Sequence, residues 1–150
     1  MRIRIAVAVL FAGLAVGGPA LAEDLLLSKR DATVLIESNV GKPYWQMEAQ
    51  CAGMLGAAYA YNNDHHRAAE ADRSREAGIV MLNEAVARLQ VDRGIDQPAA
   101  LNLAAVEVET GRAASKEVLE RQGSGPMTAF NMMRSACFDI SAAQRRHMTR

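Results

Sequence analysis

The sequence lacks the short motifs by which many enzymes and cofactor proteins are identified. It contains no glycine-rich phosphate loop, no Gly-x-Ser-x-Gly nucleophile elbow and no Cys-x-x-Cys-His motif for haem attachment. Its two cysteines and three histidines do not follow the four-ligand spacing of a zinc site. Glu107 and Glu109 are two residues apart, so their side chains diverge on a helix. We therefore expect a protein that is not an enzyme, with no catalytic residues, no metal site and no cofactor.

Clustered positive charge is absent as well. The chain has 17 Lys and Arg residues against 17 Asp and Glu residues. Binding to nucleic acid needs clustered Lys and Arg, and attraction to an anionic lipid surface needs a polybasic segment. Neither nucleic acid nor a lipid surface is therefore expected as an electrostatic partner.

The longest apolar run lies at the N-terminus. Arg2 and Arg4 precede an uncharged run over residues 5–16, and small residues follow at 20–22, directly before Glu23. A membrane-spanning helix needs roughly 20 apolar residues, so this run is too short to remain as an anchor. A basic start, a short apolar run and a small-residue cleavage site together predict a cleavable secretory signal peptide.

Export has consequences for the remaining chain. Removal of residues 1–22 takes away Arg2 and Arg4, which leaves 15 basic residues against 17 acidic ones, a net charge of −2. Residues 23–150 have the length of a single domain and contain no second run long enough to span a membrane. We expect this domain to be periplasmic or secreted.

Residue patterns typical of β-strands are nearly absent, and residues that favour helices take their place. Ala, Leu, Met, Glu, Arg and Gln dominate, and prolines stand where the first turn of a helix tolerates them. Apolar residues recur at helical spacing. The pattern predicts an all-α, antiparallel four-helix bundle with short connections. The predicted helices cover residues 43–62, 66–92, 98–122 and 126–147, and an additional N-terminal helix is predicted over residues 25–38.

Cys51 and Cys137 are the only cysteines. Both fall in the middle of predicted helices, on apolar stripes, and the first and last helices of such a bundle are neighbours. In an oxidising compartment this arrangement predicts a structural disulfide rather than a redox pair, which is usually Cys-x-x-Cys at a helix start. Closing a loop of about 86 residues would stabilise the fold by about 4–5 kcal/mol in the chain-entropy model.

Two aromatic and two basic residues form the candidate partner surface. Tyr44 and Trp45 open the first predicted helix, where packing across the helix ends is the expected role and an exposed pair would be a binding hot spot. Arg145 and Arg146 lie near the end of the last helix, where cations favour the helix dipole. An anionic partner surface is the functional alternative for this basic pair.

The residues that could hold haem or a metal have simpler expected roles. Met47 and His147 could in principle hold haem inside a bundle, but level cysteines would offset these ligands by about 9 Å along the axis. The adjacent His65 and His66 point in different directions, which favours a polar turn over a copper or nickel site. The methionines after the signal are scattered singly for the most part, which is typical of core packing.

Small residues on the first and third predicted helices, such as Gly53 and Gly111, permit either close helix packing or an internal cavity. Close packing is the commoner outcome. Two functions remain from these observations. The favoured hypothesis is a non-catalytic binding, adaptor or structural module that meets a protein or another component of the cell envelope. The alternative is a carrier of a small ligand, haem or metal inside the bundle.

Overall fold

A computed structural model of the chain describes residues 23–122 and 128–148. The predicted signal peptide of residues 1–22 lies outside the described residues, as do the predicted turn at 123–127 and residues 149–150.

The structure confirms the all-α class. Throughout the described ranges there are helices and no strands, apart from one isolated bridge between Leu26 and Pro43. None of the described helices combines the length and the apolar character needed to cross a bilayer. The helices are α1 (Tyr44–Asp64), α2 (Ala68–Arg93), α3 (Gln97–Gln122) and α4 (Thr128–Met148).

Local residues explain where the helices begin and end. Pro43 stands at the N-cap of α1 in an extended conformation and supplies a fixed φ of −63°. Gly94 ends α2 in the left-handed region, with φ of 61°, and its N–H donates to the Gln90 carbonyl. The Asp96 carboxylate then accepts a hydrogen bond of 2.9 Å from the Ala99 N–H at the start of α3.

The prediction of a helix over residues 25–38 is wrong. This segment is a series of turns with one short 3₁₀ helix, Glu37–Asn39. Its backbone pairs with the residues before α1: the Leu27 N–H donates to the Lys42 carbonyl, and the Gly41 N–H donates to the Leu27 carbonyl, both at 2.9 Å. This pairing replaces helical hydrogen bonds in a stretch whose β-branched residues disfavour a helix. Two of its side chains, Leu27 and Ile36, are buried in the core.

Helix α1 is the central element. It contacts α2, α3 and α4, and its buried residues occur on all sides of the helix. A helix that is buried all round presents no single apolar stripe. Pairs such as Cys51–Cys137 and Tyr44–His147 show that α4 runs antiparallel to α1. Trp45 shares a core cluster with Ala100, and Gly53 approaches Val108, so α3 runs parallel to α1.

The glycines of α1 and α3 serve close packing, not a cavity. A Cβ at Gly53 would lie 1.8 Å from the carbonyl oxygen of Val108, and a Cβ at Gly111 would lie 1.9 Å from that of Gln50. No side chain fits at either position. The two helix backbones therefore touch directly, and Gly111 lies within an unbroken helix.

The predicted disulfide between Cys51 and Cys137 is present. It joins the middle of α1 to the middle of α4, with the two Cα atoms 5.6 Å apart. Both cysteines belong to the main core cluster, together with Met47, Leu55 and Ile140. The bridge thus secures α4, which has fewer contacts with the bundle than α2 or α3 has.

Gly53→Ala tests the direct backbone contact. The added methyl group must displace α3, and overpacking of this kind costs about 1–3 kcal/mol. We expect Gly53→Ala to lower the free energy of unfolding in urea titrations followed by circular dichroism.

Gly56→Ala is the matched control on the same helix. Its Cβ would meet only the end of the flexible Arg112 side chain, at 3.7 Å. Ala is favoured over Gly within a helix by about 0.5–1 kcal/mol, so we expect this variant to be slightly stabilised. Equal stability of the two variants would contradict the direct contact between α1 and α3.

Candidate functional site

A groove of about 380 Å³ runs between α3 and α4, which hardly touch each other. Its floor is the face of α1 that carries Met47, Cys51 and Met54, and Leu35 and Asn39 of the N-terminal segment also line it. Met47 and Met54 are seven residues apart on α1, which makes the floor about 10 Å long. The walls are formed by Thr110, Gly111, Ala114 and Ser115 of α3 and by Met132, Met133, Ala136 and Ile140 of α4.

Sulfur and hydrocarbon dominate the groove. Four methionines line it together with the Cys51–Cys137 disulfide: Met47 and Met54 of α1, and Met132 and Met133 of α4. Met47 and Met54 are buried, as expected for core residues, whereas Met132 is 55% exposed. Thioether side chains are flexible and polarisable, and they adapt to ligands of different shape. The prediction that the methionines pack in the core thus holds for Met47 and Met54 on the floor of the groove. It does not describe Met132, which lies exposed on the wall.

The polar side chains of the groove are occupied by bonds within the protein. Gln50 donates to the Glu107 carboxylate at 2.7 Å, Thr110 to the Val106 carbonyl at 3.0 Å, and Ser115 to the Gly111 carbonyl at 2.8 Å. Among the described residues that line the groove, none is charged. Asn39 accepts a hydrogen bond of 2.8 Å from Nζ of Lys42. The surface left for a ligand is therefore mainly apolar and carries no charge.

Exposed apolar side chains of the N-terminal segment lie at or next to the groove. Leu35 lines it and is partly exposed, and its neighbour Val34 is 91% exposed. Exposed apolar residues that stand alone are common, but an exposed group beside an apolar groove is typical of a binding site.

A second feature is a buried polar cluster where α1, α2 and α4 meet. Glu48 of α1 is 0% exposed, and Ser141 and Gln144 of α4 are fully buried beside it. Glu84 of α2 accepts a hydrogen bond of 2.5 Å from the Ser141 hydroxyl and one of 2.9 Å from Nε of Arg145. The cluster thus joins α1, α2 and α4.

The pKa of Glu48 is raised to about 9. Burial is the largest cause, and the neighbouring negative charge of Glu84 also raises the pKa. The nearby Gln144 amide and the charge of Arg145 act in the opposite direction but are outweighed. Glu48 is therefore a neutral carboxylic acid at pH 7.

The buried cluster was missed in the sequence, although it has one visible signal. Glu48 is the only charged residue between Lys42 and Asp64, in a helix that is otherwise apolar or small. A lone carboxyl group in such a helix indicates burial. Its partners Glu84 and Gln144 are 36 and 96 residues further along the chain, and no local pattern connects them.

The candidate partner surface at Tyr44 and Trp45 must be corrected. The structure buries both rings, with Trp45 only 7% exposed, because the start of α1 lies inside the bundle and not at its surface. Tyr44 packs against the His147 ring at 5.9 Å between centroids, and the Arg93 guanidinium lies 5.0 Å above the Trp45 ring. The expected packing role is the one that the structure shows.

The basic end of α4 is exposed but engaged within the protein. Arg145 forms an ion pair with Glu84 at 2.9 Å, and Arg146 lies 3.6 Å from Asp31 of the N-terminal segment. Asp31 also lies 2.9 Å from Nε2 of His147. Arg145 thus connects α4 to α2, and Arg146 connects α4 to the N-terminal segment.

The residues weighed as metal or haem ligands are not brought together. Met47 lines the groove, whereas His147 is not among the groove residues and lies against Asp31 and Tyr44. His65 stacks on Tyr61 with ring centroids 4.0 Å apart. Within residues 23–122 and 128–148, no group of three or more His, Cys, Asp and Glu side chains is arranged to hold a metal ion.

Comparisons of the chain with protein-family models, with curated proteins and with solved structures gave no match. The function must therefore be inferred from the groove and the buried cluster themselves.

Glu48→Gln tests the neutral state of Glu48 through the pH dependence of stability. The folded-state pKa is about 9 against an ordinary value of 4.5. The stability associated with the proton is fully present below the ordinary pKa and is lost as the pH rises towards 9. The loss has a maximum slope of about 1.4 kcal/mol per pH unit. We expect the free energy of unfolding to fall less steeply with pH in Glu48→Gln than in the native protein.

Glu109→Gln is the control, because the Glu109 side chain is 69% exposed. Its stability should follow the native curve across the same pH range. Parallel curves for the native protein and Glu48→Gln would contradict the neutral, buried state of Glu48.

Proposed function

We propose that the protein is an exported, non-catalytic binding module of the cell envelope, and that the groove between α3 and α4 is its binding element. The observation that carries this proposal is the uncharged lining of the groove, in which the polar side chains are already hydrogen-bonded within the protein. Such a surface gains affinity by burying hydrocarbon and offers a charged ligand no side chain of opposite charge.

The size and shape of the groove favour a hydrocarbon chain, such as the acyl portion of an envelope lipid. A volume of about 380 Å³ lies at the lower end of the range for small-molecule sites. The groove follows α1 for about 10 Å and is open on one side, which suits an elongated group. The four methionines can adapt to chains that differ in length or branching.

Two further features support the non-catalytic and exported parts of the proposal. The described lining contains no titratable side chain that could act as a general acid, general base or nucleophile. The disulfide supports an oxidising compartment, as does the predicted signal peptide. Haem carriage has less support, because His147 is bound to Asp31 and does not line the groove. A Soret band in protein purified from its native compartment would favour haem carriage instead.

Ala114→Phe tests the groove as the binding element. Ala114 lines the groove from α3 and is itself exposed, so a phenyl ring there fills the groove without disturbing the core. The neutral dye Nile red, whose fluorescence rises in apolar surroundings, serves as the probe, and 1-dodecanol serves as the competing chain. We expect the native protein to bind the dye, dodecanol to displace it, and Ala114→Phe to weaken binding at least tenfold.

Ala113→Phe is the matched control. Ala113 is the adjacent residue of α3, is exposed, and does not line the groove. This variant adds the same apolar ring but should bind the dye as the native protein does. Absence of dye binding by the native protein, or an equal loss in both variants, would contradict the proposal.

A further inference from the structure

Glu48 has no hydrogen-bond partner for either carboxyl oxygen among the described residues, although it is completely buried. The amide of Gln144, which is also completely buried, is likewise unpaired in that part of the chain. Buried polar groups without partners are rare in native proteins, and each one calls for a physical explanation. Two such groups lie together here, beside the Glu84 carboxylate.

The groups that face Glu48 define what could occupy the site. Glu84 faces it from α2, and Gln144 and Arg145 face it from α4. On α1 itself, Tyr44 is the nearest titratable group, and burial raises its pKa to about 12, so that it stays neutral. Glu84 and Arg145 are therefore the charged neighbours of Glu48, and they carry opposite charges.

Both carboxylate oxygens of Glu84 already accept hydrogen bonds from α4. Its Oε2 atom accepts from Ser141, its Oε1 atom accepts from Arg145, and Nη2 of Arg145 also lies 2.6 Å from the Ser141 hydroxyl oxygen. Ser141 and Arg145 thus occupy both oxygens of the Glu84 carboxylate. An ionised carboxylate can only accept hydrogen bonds, so a second carboxylate at Glu48 would face it with repulsion and no bond.

A proton removes this conflict. We propose that Glu48 and Glu84 form a proton-binding site, in which the protonated Glu48 carboxyl group donates a hydrogen bond to the Glu84 carboxylate. The pair then holds one negative charge, which Arg145 balances. One proton taken up from solvent forms the O–H bond of the Glu48 carboxyl group, and that bond breaks when the proton returns to solvent.

The site has a mechanical consequence for α4. Glu84 connects Glu48 of α1 to Ser141 and Arg145 of α4, so the bound proton keeps three helices in contact. Loss of the proton places a second negative charge inside this contact, and the cost falls on the packing of α4. Protonation of this pair thus stabilises the bundle through a site that is separate from the groove lining.

Titration of Glu48 by ¹³C NMR of the side-chain carboxyl carbons tests the shared proton, with Glu48→Gln used to assign its signal. Glu84→Gln removes the neighbouring negative charge and the acceptor. We expect it to lower the pKa of Glu48 by at least about one unit, a tenfold loss of proton affinity. Arg145→Gln removes the balancing positive charge, and we expect it to shift the same pKa upward.

The opposite signs of these two shifts distinguish the shared proton from burial alone. Burial alone predicts no change in either variant, and that result would overturn the proposal. Glu109→Gln changes an exposed carboxylate and should leave the titration of Glu48 unmoved.

Infrared spectroscopy of the native protein provides an independent measurement if Glu84→Gln does not fold. The carbonyl stretch of a protonated carboxylic acid should be present at pH 7 and absent in Glu48→Gln. Absence of that band from the native protein would also overturn the proposal.

Discussion

The burial of α1 on all sides is the constraint on which the rest of the structure depends. A helix in this position must meet each neighbour with a suitable surface, and α1 does so with a different residue type in each direction. Glycine at position 53 admits the backbone of α3, cysteine at position 51 bonds to α4, and the carboxyl group of Glu48 faces α2 and α4. The remaining face, with Met47 and Met54, forms the floor of the groove.

The groove follows from the unequal ways in which α3 and α4 are attached to α1. Direct backbone contact draws α3 close, whereas α4 is attached through a disulfide with 5.6 Å between Cα atoms and through polar side chains near its end. The two helices are thus secured to α1 but hardly to each other. A groove between rigidly attached walls costs little to keep open, and such preformed sites bind without a large loss of conformational entropy.

The buried carboxyl group of Glu48 gives up some stability and makes the packing of the bundle sensitive to pH. An apolar residue of similar volume at position 48 would avoid the desolvation of a polar group, and replacements of this kind are often neutral or stabilising. Glu48 instead makes the contact among α1, α2 and α4 dependent on a proton. The cluster and the groove share α4, since Ile140 lines the groove and the adjacent Ser141 bonds to Glu84. The same helix therefore belongs to both features.

Local features of the sequence were sufficient for much of the fold. The starts of α1 and α3 agree with the prediction to within one residue because Pro43, Gly94 and Asp96 act through their own backbone or nearest neighbours. The disulfide was predictable for a similar reason: only two cysteines are present, and both lie on apolar helical stripes. The N-terminal segment was predicted incorrectly because its conformation depends on pairing with residues 41–44, which helix propensity does not describe.

What the sequence by itself determined, then, is the all-α class, the four long helices to within two residues at each end, and the cysteine pair, along with the expectation of export. These depend on backbone propensity and on residue type, which act over a few residues. The tertiary structure decided which side chains lie together: it buried Tyr44 and Trp45, placed the methionines of α1 and α4 along one groove and brought Glu48 to Glu84. Contacts of this kind depend on how each helix is rotated about its axis. Neighbouring residues of a helix differ by about 100°, so a rotation of that size turns a lining side chain away from the site.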